Sequence, residues 1–173
     1  MTAMIDQFSR GPGFICDGHL GKLCKYLRML GFDCLFVHLA HHPDVAGLNK
    51  ENRIVLSRDH KLRNHPEIQQ FILIVSSDPI TQLHEVVRQV DLVNFIRPLS
   101  RCLQCNAPLS RISKNQILHK LEPGTARDFD EFHQCSGCGR IYWKGSHYEN
   151  MMTFIKTKVL PFNNHYGPGN YKN

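Results

Sequence analysis

Between residues 14 and 90 the apolar positions come in alternating blocks. Short apolar runs give way to longer stretches in which apolar residues recur every three or four positions. The runs Phe14–Cys16, Cys34–His38, Arg53–Ser57 and Phe71–Ser76 have the length and content of buried strands. After the first run, Leu20, Leu23, Cys24, Leu27 and Leu30 fall at helical spacing. They predict a helix from about Gly18 to Leu30, stopped by Gly31. A weaker pattern predicts a short helix over His41–Asn52 and a polar helix or loop over 60–69. Leu83, Val86, Val87 and Val90 predict a helix over Ile80–Val90. Strands alternating with helices predict an α/β fold, a parallel sheet flanked by helices.

Past Pro98 this alternation stops and turn-rich sequence with cysteines begins. Cys102/Cys105 and Cys135/Cys138 form two C-x-x-C pairs, followed or framed by Asn106, Pro108, Gly137 and Gly139. Each pair lets a tight turn aim two sulfurs at one ion, and two facing turns supply the tetrahedral thiolate set that suits zinc. The expectation is a small C-terminal zinc ribbon whose four protein ligands close the ion to substrate, making it structural. The expected organisation is a flexible start over 1–13, an α/β domain over 14–98, the ribbon over 99–152, and a C-terminal segment over 153–173 with a disordered tail.

Composition refines this picture. The chain of 173 residues is 42% hydrophobic, enough for a real core, and no apolar run reaches the length of a membrane span. It opens M-T-A-M-I-D-Q, without an apolar export segment, so a cytoplasmic location is expected. In that reducing setting paired C-x-x-C motifs favour metal over disulfide. Cys16, Cys24 and Cys34 lie among apolar residues and are expected to be buried small hydrophobes. The net charge of +6 is uneven. Residues 1–97 contribute +1 and residues 98–173 contribute +5. Four thiolates holding one divalent zinc would lower the second figure to about +3, a modest basic excess compatible with a polyanionic partner.

Three aspartates hold one position relative to the fold. Asp17, Asp59 and Asp78 each follow the end of a predicted parallel strand, the edge where open α/β sheets bind ligands. Converging carboxylates select a hard divalent ion, magnesium or manganese, which suits phosphodiester hydrolysis. Aspartate is equally a good helix N-cap, and each precedes a helix or turn. Lys22 and Arg28 are candidates to hold phosphate beside Asp17, and Arg58 to pair with a phosphate or a carboxylate. Tyr142 and Trp143 either stack on bases or fill the ribbon's core; Arg140, Lys144 and His147 beside them favour nucleic acid.

The segments 17–33 (D-G-H-L-G-K-L-C-K-Y-L-R-M-L-G-F-D), 53–62 (R-I-V-L-S-R-D-H-K-L), 82–86 (Q-L-H-E-V), 101–109 (R-C-L-Q-C-N-A-P-L) and 138–147 (C-G-R-I-Y-W-K-G-S-H) together resemble the C-terminal RNase domain of the Mut-seven exonuclease. The resemblance spans about residues 14–152. It implies a PIN-like nuclease fold followed by a zinc ribbon, with metal-dependent RNA cleavage. Asp17 matches the family's first-strand acid and Asp59 the acid of its T-R-D motif, here S-R-D. Asp78 lies near a further polar position. Where the family usually has an acidic pair, this chain has His41-His42, and Asp44 is the nearby acid that would take its place. The alternative is a catalytically weak or inactive PIN-like module that binds RNA or a protein.

Overall fold

The structure, a computed structural model, describes residues 11–39, 44–48 and 52–162. His41 and His42, most of the helix expected over His41–Asn52, and the expected flexible start and disordered tail lie largely or wholly outside the described residues.

The first part of the chain forms β1 (Phe14–Asp17), α1 (Gly21–Met29), β2 (Cys34–Val37), α2 (Val45–Leu48), β3 (Ile54–Ser57), a 3-10 turn (His60–Asn64), β4 (Gln70–Leu73) and α3 (Pro79–Val87). All four strands run parallel in the order β2-β1-β3-β4. The expected α/β sheet is therefore present. Alternate residues face opposite sides. Phe14, Cys16, Cys34, Ile54, Leu56, Ile72 and Ile74 pack with Leu23 and Leu27 of α1 and with Leu83, Val86 and Val87 of α3. Ile15 and Val55 turn the other way and join Leu39, Val45, Leu62 and Ile68. Cys16, Cys24 and Cys34 are fully buried, with their sulfurs gathered within 4.8 Å of one another.

Element ends differ from expectation for local reasons. α1 starts at Gly21 rather than Gly18, because the Gly18 amide turns back to Asp17 Oδ1 (2.8 Å). β4 stops at Leu73, short of Ser76. The amides of Val75 and Ser76 donate to the Glu85 carboxylate of α3 at 2.9 and 3.0 Å instead of extending the ladder.

The second part forms a three-stranded antiparallel sheet of β5 (Leu109–Ile112), β6 (Phe132–Cys135) and β7 (Ile141–Trp143), in the order β5-β6-β7. Short helices α4 (Lys114–Ile117) and α5 (Pro123–Asp128) lie between β5 and β6, and α6 (Ser146–Phe154) follows β7. The helical path continues through a π turn at Ile155–Val159 and a 3-10 turn at Leu160–Phe162. This run crosses residue 152, the expected end of the ribbon. It returns to the α/β core, where Ile155 and Val159 are buried, Phe154 stacks on Tyr26 at 5.0 Å and Phe162 stacks on His84 at 3.6 Å.

The ribbon also docks through its first cysteine knuckle. Arg28 was expected among the phosphate-binding residues, and the structure corrects this. Its side chain is only 9% exposed. Nε donates to the Cys34 carbonyl (2.9 Å) and Nη1 to the carbonyls of Leu103 (3.3 Å) and Gln104 (2.9 Å), so the guanidinium is engaged inside the protein. Beside it, Asn106 adopts a positive φ of 68°. Its Oδ1 accepts from the Cys34 amide (3.0 Å), and its Nδ2 donates to Asp33 Oδ1 (2.7 Å). Asp33 is the polar node of the junction, paired with Arg53 at 2.8 Å and Arg101 at 3.2 Å.

Asp33→Ala is expected to destabilise the protein by about 3–5 kcal/mol in urea unfolding, because it leaves the buried Arg53 guanidinium short of its carboxylate. The Asp33 carboxyl is partly buried, which raises its pKa. The bonds from Arg53 and Asn106 and the charges of Arg53 and Arg101 outweigh this and hold it below the ordinary value. A lowered carboxyl stabilises fully above its unfolded value of about 3.9 and loses that contribution as pH falls through the folded value. Wild-type stability should therefore fall below about pH 4, and the Asp33→Ala variant should show a shallower acid limb.

Candidate active site and metal centre

In the order β2-β1-β3-β4, the chain leaves β1 towards β2 and leaves β3 towards β4. The C-terminal ends of β1 and β3 thus form the switch point where such sheets open a crevice. Parallel register sets Cys16 beside Leu56, so the next pair along is Asp17 and Ser57. The Ser57 hydroxyl donates to Asp17 Oδ2 (2.7 Å) and accepts from the Asp59 amide (3.0 Å). One buried hydroxyl therefore connects the two aspartates foremost in the sequence reading. Ser57 itself was missed there, although it sits in the S-R-D motif and occupies the position opposite Asp17.

Asp17 is half-buried and fully held. Besides Ser57, the amides of Gly18 (2.8 Å) and Leu39 (3.0 Å) donate to its Oδ1. Burial alone would raise its carboxyl, but the Leu39 amide, the Ser57 hydroxyl and the Gly18 amide together hold it below the usual carboxylate range. It is ionised at neutral pH, as a hard-cation ligand must be. Asp59 Oδ1 accepts from the Lys61 amide at 2.9 Å and caps the 3-10 turn.

The other candidate acids are also caps, the role weighed in the sequence for Asp78 but not for Asp44. Asp78 lies exposed after the edge strand β4. Its Oδ2 accepts from the Thr81 amide (2.8 Å) and Thr81 hydroxyl (2.9 Å). The same Thr81 bonds draw its carboxyl below the ordinary value. β3 separates β4 from β1, which sets β4 about 9.6 Å from β1. Asp44, exposed, accepts from the Gly47 amide at 2.6 Å. Asp78→Ala should lower the urea midpoint slightly through the lost cap. Lys22 at the start of α1 and Arg58 after β3 are exposed near this edge. Among the described residues, the groups of three or more Cys, His, Asp or Glu side chains close enough to share an ion consist of cysteine alone.

The larger of those groups is the expected quartet. The sulfurs of Cys102, Cys105, Cys135 and Cys138 all lie within 4.8 Å of one another, with Cys102–Cys138 at 3.6 Å and Cys105–Cys135 at 3.3 Å. A tetrahedron with Zn–S distances of about 2.3 Å has sulfurs about 3.8 Å apart, so the set is compatible with a zinc ribbon. The amides of Gly137 and Cys138 donate to the Cys135 sulfur at 3.4 Å, as in a metal knuckle. The Tyr142 hydroxyl lies 3.1 Å from the Cys102 sulfur. Burial would raise the Cys102 thiol, but Tyr142 and the amides of Cys105 and Gln104 draw it down to about 6. For Cys138, the Arg140 amide is outweighed by desolvation and the neighbouring sulfurs, which push it up to about 11. An ion entering the set would release that proton.

The two centres lie on opposite edges of the parallel sheet. Asp17, Ser57 and Asp59 stand at the C-terminal ends of the strands. The ribbon docks on Asp33, Cys34 and Arg53, where β2 and β3 begin. Arg140, Trp143 and Lys144 belong to the ribbon, in and beside β7, and so lie away from the carboxylates.

A family model described as the Mut7-C RNAse domain matches residues 12–155, spanning both the parallel sheet and the cysteine quartet. No curated protein and no solved structure matches the chain. Among the described residues, no helix is long and apolar enough to cross a membrane.

Proposed function

Because the chain belongs to the Mut7-C RNAse domain family, we propose that it is a metal-dependent ribonuclease hydrolysing RNA phosphodiester bonds at the C-terminal edge of the parallel sheet. The observation that carries this is the buried Ser57 at the switch point, whose hydroxyl donates to the Asp17 carboxylate and accepts from the Asp59 backbone amide, so that both aspartates stand at the same strand ends. Asp17 and Asp59 would hold magnesium or manganese, which when bound supplies an activated water and neutralises charge on the phosphate. The chain's own residues do the rest. The amides of Gly18 and Leu39 fix the Asp17 carboxylate so that it does not have to reorganise as charge develops. Lys22 and Arg58 lie exposed at the same edge to hold flanking phosphates. Asp44 and Asp78 stand at the rim as caps and contribute through local structure and negative field rather than by direct ligation. The four cysteines hold a structural zinc that takes no part in the chemistry.

A second reading rests on the absence, among the described residues, of any three-ligand group containing a carboxylate. It makes the protein a PIN-like RNA-binding module with weak or no activity. Calorimetric titration of zinc-loaded protein with manganese separates the two. Uptake of one or two ions that Asp17→Asn removes supports the nuclease. No uptake beyond zinc, together with uncut single-stranded and structured RNAs, supports the module.

A further inference from the structure

A cavity of about 410 Å³ opens where the ribbon meets the end of α1. Tyr142, Trp143 and Tyr148 supply aromatic lining, and Met29, Leu103 and Met151 line it with apolar chains. We propose that this cavity receives a nucleobase of an RNA strand whose phosphates lie on the ribbon's basic rim. The proposal rests on the ribonuclease reading for the identity of the polyanion, and on the cavity itself for the base.

The lining matches the ligand. Aromatic faces accept any base by stacking, worth about 1–3 kcal/mol per base, and methionine sulfur adds polarisable contact at the ring edge. The volume falls within the range that buries small ligands. Tyr142 is fixed by its hydroxyl at the Cys102 sulfur, and Trp143 leans on Phe129 and Phe132 at 6.4 and 6.3 Å. Both rings are thus set in place before any ligand arrives, which lowers the ordering penalty of binding. Charge selects the occupant. Arg140 and Lys144 bracket the lining strand β7 and are exposed, as is His147; Lys144 also pairs with Glu131 at 3.4 Å, and the +5 of this half falls to about +3 once four thiolates hold a divalent zinc. An apolar peptide or lipid tail would fit the wall but gain nothing from that rim, whereas a base attached to phosphates uses both.

Position adds a constraint. Met29 ends α1, whose other end follows Asp17. Nine helical residues span about 13 Å. A base in the cavity therefore belongs to a nucleotide several residues away from a phosphate at Asp17. The ribbon would act as a remote anchor, favouring strands long enough to reach both sites.

Trp143 is the chain's one tryptophan, so its fluorescence reports on the cavity. The test uses zinc-loaded, full-length Asp17→Asn protein in magnesium- and manganese-free buffer, titrated with an eight-nucleotide oligoadenylate, with an abasic ribose-phosphate chain of equal length, and with diadenylate. Saturable quenching by the octamer is expected, with at least ~10-fold weaker response to the other two. Tyr148→Ala and Leu103→Glu, each checked for retained zinc, should weaken octamer binding ~10-fold or more. Equal quenching by the abasic chain, no quenching by the octamer, or unchanged affinity in both zinc-retaining variants overturns the proposal. RNA cutting by wild-type protein without octamer quenching sinks the cavity alone. Quenching without any cutting sinks the nuclease reading alone.

Discussion

Asp17→Asn is expected to lower manganese-dependent RNA cleavage by on the order of 10²–10³-fold, the loss typical of removing one group that stabilises charge in the transition state. Asp59→Asn should show a loss of the same order. The substitution at Asp17 suits a test of chemistry because the asparagine can keep most of the local bonds. Its carbonyl oxygen can still accept from the Gly18 and Leu39 amides, and its amide can donate to Ser57 Oγ, at the cost of the acceptor to which the buried Ser57 hydroxyl donated. Unfolding free energy in urea should therefore fall by about 1–3 kcal/mol, leaving the protein folded while activity collapses. Asp78→Ala is the contrasting variant, with a lost helix cap but cutting within a few-fold of wild type. Single-turnover cleavage of a labelled RNA at saturating manganese, with denaturation curves for each variant, checks the set. Undiminished cleavage in both Asp17→Asn and Asp59→Asn would place the chemistry elsewhere.

The second large effect is expected at the cysteine quartet. Cys135→Ser should abolish binding of the single zinc and unfold the three-stranded sheet. Structural zinc sites of this kind contribute about 10–16 kcal/mol of binding free energy at neutral pH, comparable with the entire stability of a domain. The damage should spread beyond the ribbon. The knuckle supplies the Leu103 and Gln104 carbonyls to Arg28 and Asn106 to the Cys34 amide. Losing it leaves a buried guanidinium and a buried amide short of partners at the sheet's N-terminal edge. Metal analysis should fall from one zinc per chain to none, and the variant should become protease-sensitive between residues 99 and 145. Full zinc retention, or an unchanged protease pattern, would contradict this account of the ribbon.

These two centres differed in how plainly the sequence announced them. The cysteine pairs carry their geometry in their spacing, because a turn of two intervening residues fixes where both sulfurs point. The strands were visible as short apolar runs, and Asp17 and Asp59 followed from their place at strand ends. What joins them was less visible. Ser57 becomes meaningful only once register sets it opposite Asp17, and register is a property of the paired strands rather than of either run. Arg28 looked like a phosphate-binding residue beside Asp17, since its ribbon partners lie some 75 residues away on a knuckle that covers that face. Asp33 and Asn106 were silent for the same reason. The run after Gly145 gave little helical signal because the first half of α6 is polar; its apolar residues Met151, Met152 and Phe154 come at its end and pack against the core together with Ile155 and Val159 of the turn that follows. The capping role of Asp78 was weighed as an alternative and that of Asp44 was not, and local amides decide which bonds those carboxylates make.

The most direct measurement is the electron density of crystals soaked in manganese and recorded for its anomalous signal. This account predicts one or two manganese ions on the carboxylates of Asp17 and Asp59 at the ends of β1 and β3, distinct from the zinc among the four cysteines. Manganese bound elsewhere, or an Asp17–Asp59 pair that binds none while the protein still cuts RNA, would contradict it.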